Sequence, residues 1–273
     1  MAIAPSAANK REARRSRAES RLLPAAVSAG SVMAVLLLWW LSGRLGWVNP
    51  LFLPPPADVW TAFADIAQHG YKDSSLAAHV GASLRRILIA IALAAATAVP
   101  LGILCGRNRW LRAVFDPFVE FYRPLPPLAY YSLLVLWFGI ADESKIVLLF
   151  LSGFSPLFIA AVHSSRQVPA ERINGARSLG ARGWRLYAYV ILPSCLPDVL
   201  TGLRTAVGVT YSTLVAAEMV AAISGMGWMV LDASKYLRSD IIYAGIILMG
   251  IIAIAIDSSL RLLIRQASPW TRG

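Results

Sequence analysis

The sequence predicts an all-α integral membrane protein of six transmembrane helices, and three observations carry that prediction. Of its 273 residues, 57% are drawn from AVILMFWYC and 15% are charged, with a mean hydropathy of +0.59; soluble domains hold about 45–50% apolar and about 25% charged residues. Six apolar stretches approach the roughly 20 residues, about 17 to 25 tolerated, that a helix needs to cross a hydrocarbon core of about 30 Å. With the N-terminus placed in the cytoplasm, 18 of the 26 Lys and Arg residues fall on the inner side and 5 on the outer, whereas the 15 acidic residues split seven and seven with one in the membrane. An asymmetry confined to the bases is the positive-inside pattern. It places both termini in the cytoplasm and accounts for the net charge of +11 by orientation in a bilayer, without nucleic acid.

Residues 1–24 form a basic cytoplasmic tail with six Lys and Arg, followed by a membrane domain over 25–265 and a short tail, 266–273. The first span, 25–42, contains VMAVLLLWW and has no small-residue cleavage pattern after it, so it reads as an uncleaved span and not a signal peptide. Trp39, Trp40 and Trp47 suit an interfacial belt beside the stiff Pro54-Pro55-Pro56 segment. The second span, 87–106, carries a small-residue ladder, Ala90, Ala94, Ala98, Gly102 and Gly106, that lets another span of the bundle approach closely. Arg85 and Arg86 at its outer mouth are expected to snorkel to the interface. Spans three and four, 125–140 and 146–162, are short and separated by Ala141-Asp-Glu-Ser-Lys145, a tight helical hairpin; spans five and six cover 197–222 and 241–263.

The residue inventory argues against catalysis. Cys105 and Cys195 fall at the cytoplasmic side, where thiols stay reduced, and are expected to form no disulfide. His69, His79 and His163 have no partner at ligand spacing, so no metal site is expected. There is no phosphate-cradling Gly-Lys loop, no clustered Ser/His/Asp set and little chain for a soluble catalytic domain. A non-catalytic protein without a cofactor of its own is expected.

Six spans suit a transporter subunit, a channel or an anchor, and the irregular segments discriminate among them. The connection 163–196 has 34 residues, where helix connections usually need about 2 to 8. Pro169 opens it, Gly180 interrupts it and Pro193 closes it, with helices expected over 170–179 and 182–191. Ala170, Ile173, Ala176 and Leu179 form one face of the first helix, and Trp184, Tyr187 and Ile191 one face of the second. One side can meet the bundle and the other a cytosolic partner; an amphipathic loop resting on anionic lipid is the plainer alternative.

Asn174-Gly175-Ala176, Gly180 four residues later, and Val190-Ile191-Leu192-Pro193 resemble the "EAA, three residues, G, nine residues, I-x-L-P" signature of permease subunits of ATP-binding-cassette importers. Asn174 and Gly175 depart from the glutamate and first alanine of that pattern, while Glu171 lies about one turn earlier on nearly the same face. Further segments, Leu51 to Pro56, Asp116 to Ala129, Leu136 to Ile140, Thr201 to Arg204, Ser212 to Glu218 and Ser268 to Trp270, are similar to the taurine permeases within the taurine, aliphatic sulfonate and nitrate group.

The resemblance implies a MetI-like type I importer fold in the bacterial cytoplasmic (inner) membrane, working as a homodimer. It implies two cytosolic ABC ATPases, which bind the ATP, and an external or periplasmic solute-binding protein. The ATPase-coupling residues would be Glu171, Asn174, Gly175, Ala176, Gly180, Leu192 and Pro193. The cargo would be taurine or a related sulfonate, with nitrate or another small solute as alternatives.

Five residues are candidates for the translocation path or its gate. Arg204 lies roughly 10 Å inside span five, where an unpaired charge costs at least about 2.5 kcal/mol. Glu218, 14 residues on, returns to within about 40° of the same face but roughly 21 Å further along. Both could face the path, or each could be held inside the bundle. Tyr130 and Ser132 stand where relatives carry a tryptophan and a kinking proline, and Met226 belongs to a Gly225-Met-Gly-Trp228 stretch suited to an outer hairpin or a plain connector. A secondary transporter or channel driven by an ion gradient is the alternative class, for which Arg204 and Glu218 would have to supply the coupling site.

Overall fold

The structure is a computed structural model that describes the backbone of residues 7–267 and the side chains of residues 26–266. The basic side chains expected to hold the N-terminus in the cytoplasm, and the segment 268–270, lie outside those residues. Among the described residues every regular element is helical: α1 (Ala7–Leu45), α2 (Pro56–His69), α3 (Leu76–Arg107), α4 (Arg109–Tyr122), α5 (Pro127–Phe138), α6 (Asp142–Gln167), α7 (Ala170–Ser178), α8 (Gly183–Leu186), a π-helical turn (Tyr187–Ile191), α9 (Leu192–Ala221), α10 (Met226–Lys235) and α11 (Ser239–Ala267). The chain divides into two units, Met1–Ala62 and Phe63–Gly273.

In the first unit the apolar part of α1 is Ala26–Leu45. Gly46, at φ 65°, lets the chain reverse, and Trp39 Nε1 donates to Pro54 O at 3.0 Å. The proline stretch thus folds back on the end of α1 before α2 begins.

In the second unit four helices are long and apolar enough to cross a bilayer: Leu76–Arg107, Asp142–Gln167, Gly183–Ala221 and Ser239–Gln266. The expected third span is α5, which has 12 residues and so is about 18 Å long against a core of about 30 Å. Gly139, at φ 79°, ends it.

The small-residue ladder of α3 packs on α6. Ala90, Ala94 and Ala98 are fully buried, and a Cβ on Gly102 would stand 2.7 Å from both Ala161 Cβ and Phe158 O. In lipid the surroundings are as apolar as the interior, so close packing and dispersion hold these helices together more than hydrophobic transfer does. On its other side α6 meets α9 closely, with Ser152 Oγ 3.4 Å from Thr210 Oγ1.

The connection from α6 to α9 departs from expectation at its second half. Pro193 does not stop a separate helix; α8, the π turn and α9 run on as one apolar helix, Gly183–Ala221. The reason is the wider turn. The Leu192 N–H reaches back five residues to Tyr187 O, and Pro193, which has no N–H to give, occupies the first turn of α9. The extra residue also rotates the apolar face: Leu186 and Ile191 are buried, while Trp184 is 80% exposed. On α7, Ile173 is buried and Ala176 packs on the same cluster, but Leu179 leaves that face and is 91% exposed.

Candidate functional site

At the end of the bundle that carries the connection 222–225, charged groups meet inside the protein. Glu218 near the end of α9 is fully buried. Its Oε1 accepts from Ser83 Oγ and from Arg86 Nη1, both at 2.7 Å, and its Oε2 accepts from the Gly227 N–H at 3.0 Å. Arg86 also donates to Ser224 O at 2.9 Å and, through Nε, to Asp142 Oδ1 at 2.8 Å, while Arg85 pairs with the same carboxylate. Two carboxylates therefore share one buried guanidinium, and every donor of the fork that the geometry presents has an acceptor. The Met226 N–H donates to Ser83 Oγ and the Gly225 N–H to His79 Nδ1, so the connection after α9 is fastened to α3. Gly225 adopts φ 125°, and any Cβ there would run into the Glu218 carboxylate. The expectation that Arg86 snorkels outward is overturned: it is 3% exposed because two acids compensate its burial.

Lys145, taken from sequence as a loop residue, is 2% exposed and donates from Nζ to Ile140 O at 2.5 Å and Ala141 O at 3.0 Å. It thus satisfies carbonyls just past the end of α5. Beside this cluster, Tyr71 donates to Asp232 Oδ2 at 2.9 Å, Lys72 pairs with the same oxygen at 2.6 Å, and Trp228 stacks on His79. The hydrogen bonds of Lys72 and Tyr71 outweigh burial and hold the Asp232 carboxyl below its ordinary range. The hydrogen bond to Asp232 raises Lys72 in turn.

A cavity of about 700 Å³ opens between α4, α5, α6 and α9, within the range usual for small-molecule sites. Arg123, Tyr130, Ser155, His163, Asp198 and Thr201 are among its lining residues. Tyr122 and Ser155 line it too, with their hydroxyls buried beside one another.

At the α7 end, Gly180 terminates α7 in a Schellman motif. At φ 87° its N–H donates to Arg177 O at 2.9 Å and the next N–H, of Ala181, reaches Ala176 O at 3.0 Å. No atom lies near a Cβ placed on Gly180, so the backbone conformation and not crowding demands glycine. Arg172 Nη1 donates to Ser194 Oγ at 3.0 Å, tying α7 to the start of α9, and a groove beside this bond is lined by Arg172, Ala176, Leu179, Tyr189 and Pro193.

The candidate residues from sequence thus separate. Ala176, Gly180 and Pro193 come together at the groove and turn, with Glu171, Asn174 and Gly175 exposed on α7 and Leu192 partly exposed at the start of α9. Tyr130 lines the large cavity; Ser132 is exposed on α5 and lies outside that lining. Met226 is fully buried in the fastened connection. Arg204 and Glu218 do not face a common neighbour: Arg204 pairs with Asp257 of α11, which also binds Arg261 at 2.9 Å, whereas Glu218 meets α3. The neighbour of α9 changes along its length, which helical periodicity alone does not register. Arg123, Asp198 and Ser155 were missed, because nothing local distinguishes a cavity-lining residue from an ordinary helix terminus or core hydroxyl.

An all-helical bundle with long apolar spans, a buried ion network at one end and a glycine-turned helix at the other defines a membrane transport subunit. Residues 98–273 match the family described as "Binding-protein-dependent transport system inner membrane component", and the chain belongs to this family of ABC transporter permeases. It is therefore a multi-pass inner-membrane protein with the MetI-like permease fold. It is 43% identical over 245 residues to the taurine transport system permease protein TauC of Escherichia coli (strain K12), covering 89% of either chain. It is 33% identical over 238 residues to a protein assigned as the aliphatic sulfonates transport permease SsuC of the same organism, covering 87% of this chain and 89% of the other. The bicarbonate transport system permease protein CmpB of Synechococcus elongatus is 30% identical over 252 residues, covering 89% of this chain and 88% of its own.

Proposed function

We propose that the chain forms the translocation path of an ATP-driven importer for taurine or a closely related sulfonate, working as a homodimer. The observation that carries the substrate reading is the 43% identity to a taurine permease across nearly the whole of both chains, ten points above the sulfonate relative. Both termini and the α7 turn face the cytoplasm in this reading, and the ion network of Glu218 and Arg86 faces the outside, where a solute-binding protein delivers cargo.

Two cytosolic ATPases each grip one turn at Gly180, with the exposed Leu179 and the groove of Ala176 and Pro193 as the docking features. They bind the ATP, and the permease needs no cofactor. Closure of the ATPases moves α7, and the Arg172 to Ser194 bond passes that movement to α9. The test is co-purification with the cognate ATPase and uptake of labelled taurine by the reconstituted complex. Gly180→Pro, which cannot adopt a positive φ, is expected to abolish both; retained ATPase association would refute the docking assignment.

A further inference from the structure

Three successive backbone N–H groups at the start of α10, those of Gly225, Met226 and Gly227, end on buried side chains of other helices. They reach His79 Nδ1 at 3.2 Å, Ser83 Oγ at 3.1 Å and Glu218 Oε2 at 3.0 Å. A helix leaves its first N–H groups without partners inside itself, and no side chain at its own N-cap serves α10. The connection after α9 is therefore held to α3 by His79 and Ser83, two acceptors one helical turn apart.

Of the three acceptors, Ser83 keeps its lone pairs at any pH and Glu218 is held against the Arg86 guanidinium. His79 differs, because an imidazole nitrogen accepts only while it carries no proton. The partners of the ring have fixed polarity and so assign its tautomer. The Gly225 N–H can only donate to Nδ1, and Tyr71 O, 3.4 Å from Nε2, can only accept. The proton therefore sits on Nε2, Nδ1 is bare and the ring is neutral. An imidazolium carries N–H groups at both positions, which sets two donors against each other at Gly225. The ring is confined as it meets this conflict: it is buried, stacked on Trp228 with centroids 5.4 Å apart, and faces Tyr71 at an angle of 63°.

The carboxylates of the surrounding elements offer an added proton no free partner. Asp232 of α10 is taken up by Tyr71 and by Lys72, whose ammonium lies 5.7 Å from the centroid of the Trp228 ring. Arg86 of α3 engages Glu218 of α9 and Asp142 of α6, Arg85 shares Asp142, and Lys145 is spent on two carbonyls. Asp240 at the start of α11 pairs with Arg238, and Asp73, on the turn with Tyr71, is exposed.

We propose that His79 is a proton-operated latch on the connection after α9. Neutral, it holds Gly225 to α3. A proton on Nδ1 breaks that bond and frees the connection, because only the freed imidazolium can turn both N–H groups toward water or other acceptors. The latch belongs to the fold and holds for any cargo; its placement on the outer side rests on the importer reading. In that reading, acid outside loosens the mouth of the permease and leaves the ATPase-docking turn alone.

The test is amide hydrogen exchange of residues 222–228 in the full-length permease with its ATPase in nanodiscs, from about pH 8 to about pH 5, where histidine side chains ordinarily change charge. His79→Asn is the reference, since its amide oxygen can accept from Gly225 and does not titrate. Comparing the two at each pH cancels the intrinsic pH dependence of exchange and the effect of every other titrating group. They are expected to exchange alike at the alkaline end, with wild type at least about tenfold faster at the acid end, as the loss of one hydrogen bond implies. His79→Leu, which has no acceptor, should exchange fast throughout. Heavy-nitrogen labelling of histidine reads the tautomer directly, the signal missing from His79→Asn being that of His79.

The proposal is overturned if the ratio of wild-type to His79→Asn exchange stays constant across that range, if His79→Leu exchanges as slowly as wild type, or if Nδ1 carries the proton at the alkaline end. Should His79→Asn exchange fast at every pH, wild type alone decides: a ring that takes its second proton while 222–228 exchanges no faster relative to 229–235 also overturns the latch. No transport is measured, so the latch stands or falls apart from the importer reading.

Discussion

Arg86 and Glu218, 132 residues apart in the chain, are joined by a 2.7 Å hydrogen bond at side chains that are 3% and 0% exposed. The pair locks the end of α9 to α3, and the connection after α9 is built around it. A buried pair of this kind contributes less through its own attraction than through the cost of leaving either charge alone.

Glu218→Gln keeps the shape and removes the charge. It should destabilise the permease by roughly 3 kcal/mol, the lower end for a broken buried pair, because Asp142 still faces Arg86. Denaturation midpoints of the purified permease in detergent measure this. A Gln variant with the wild-type midpoint would show that the charge is dispensable to the fold.

Gly225 and Gly227 are predicted to be intolerant for a packing reason. A Cβ on Gly227 would stand 3.0 Å from Glu218 Cβ, and Gly225 adds a φ of 125° that side chains rarely adopt. Gly225→Ala should cost on the order of 1–3 kcal/mol. Gly250, inside α11 with open space about it, is the contrast: Gly250→Ala should be neutral or stabilise by up to about 1 kcal/mol. Melting of both variants in the same detergent decides the comparison.

The cluster of Tyr71, Lys72 and Asp232 predicts a pH window. The depressed carboxyl of Asp232 contributes stability above the ordinary carboxylate value and loses it as pH falls through the lower folded value. Raised Lys72 contributes fully below the ordinary lysine value and loses its contribution as pH rises through the higher folded one. The pair therefore holds through neutral pH and loosens at both extremes. Asp232→Asn should melt lower than wild type at neutral pH and match it in strong acid; melts that differ by the same amount at every pH would contradict this.

Leu179 predicts the separation of coupling from folding. Its side chain is 91% exposed at the turn, so Leu179→Glu should leave the melting of the permease unchanged. If the turn docks the ATPase, the same change should weaken ATPase association by about tenfold or more, as for a central interface side chain. Pull-down against the cognate ATPase, scored beside the melt, reads both effects.

Several elements were legible in the sequence because their causes are local. Gly180 announced a turn by its place between two helical patterns, and its φ of 87° and Schellman bonds follow from those few residues. The ladder from Ala90 to Gly106 announced close packing by spacing and found it on α6. Lys145 was misplaced because an apolar count treats any lysine between spans as solvated; the glycine that ends α5, followed shortly by a lysine, is the signal that could have marked it. Pro193 was misjudged because the helix runs on through it, with a π turn immediately upstream.

Hydropathy and the spacing of glycine, proline and small residues by themselves determined that this chain crosses a membrane as apolar helices and carries a turned helix between two of them. Such features depend on a residue and its near neighbours along the chain. Which charge meets which was decided only by the tertiary structure. Arg204 and Glu218 share a helix face on paper, yet one pairs with Asp257 and the other with Arg86. Arg123 and Asp198 come to line one cavity only when α4 and α9 are folded beside α6. Charge pairing follows from distances between helices, and those are set by packing that periodicity along one helix does not encode.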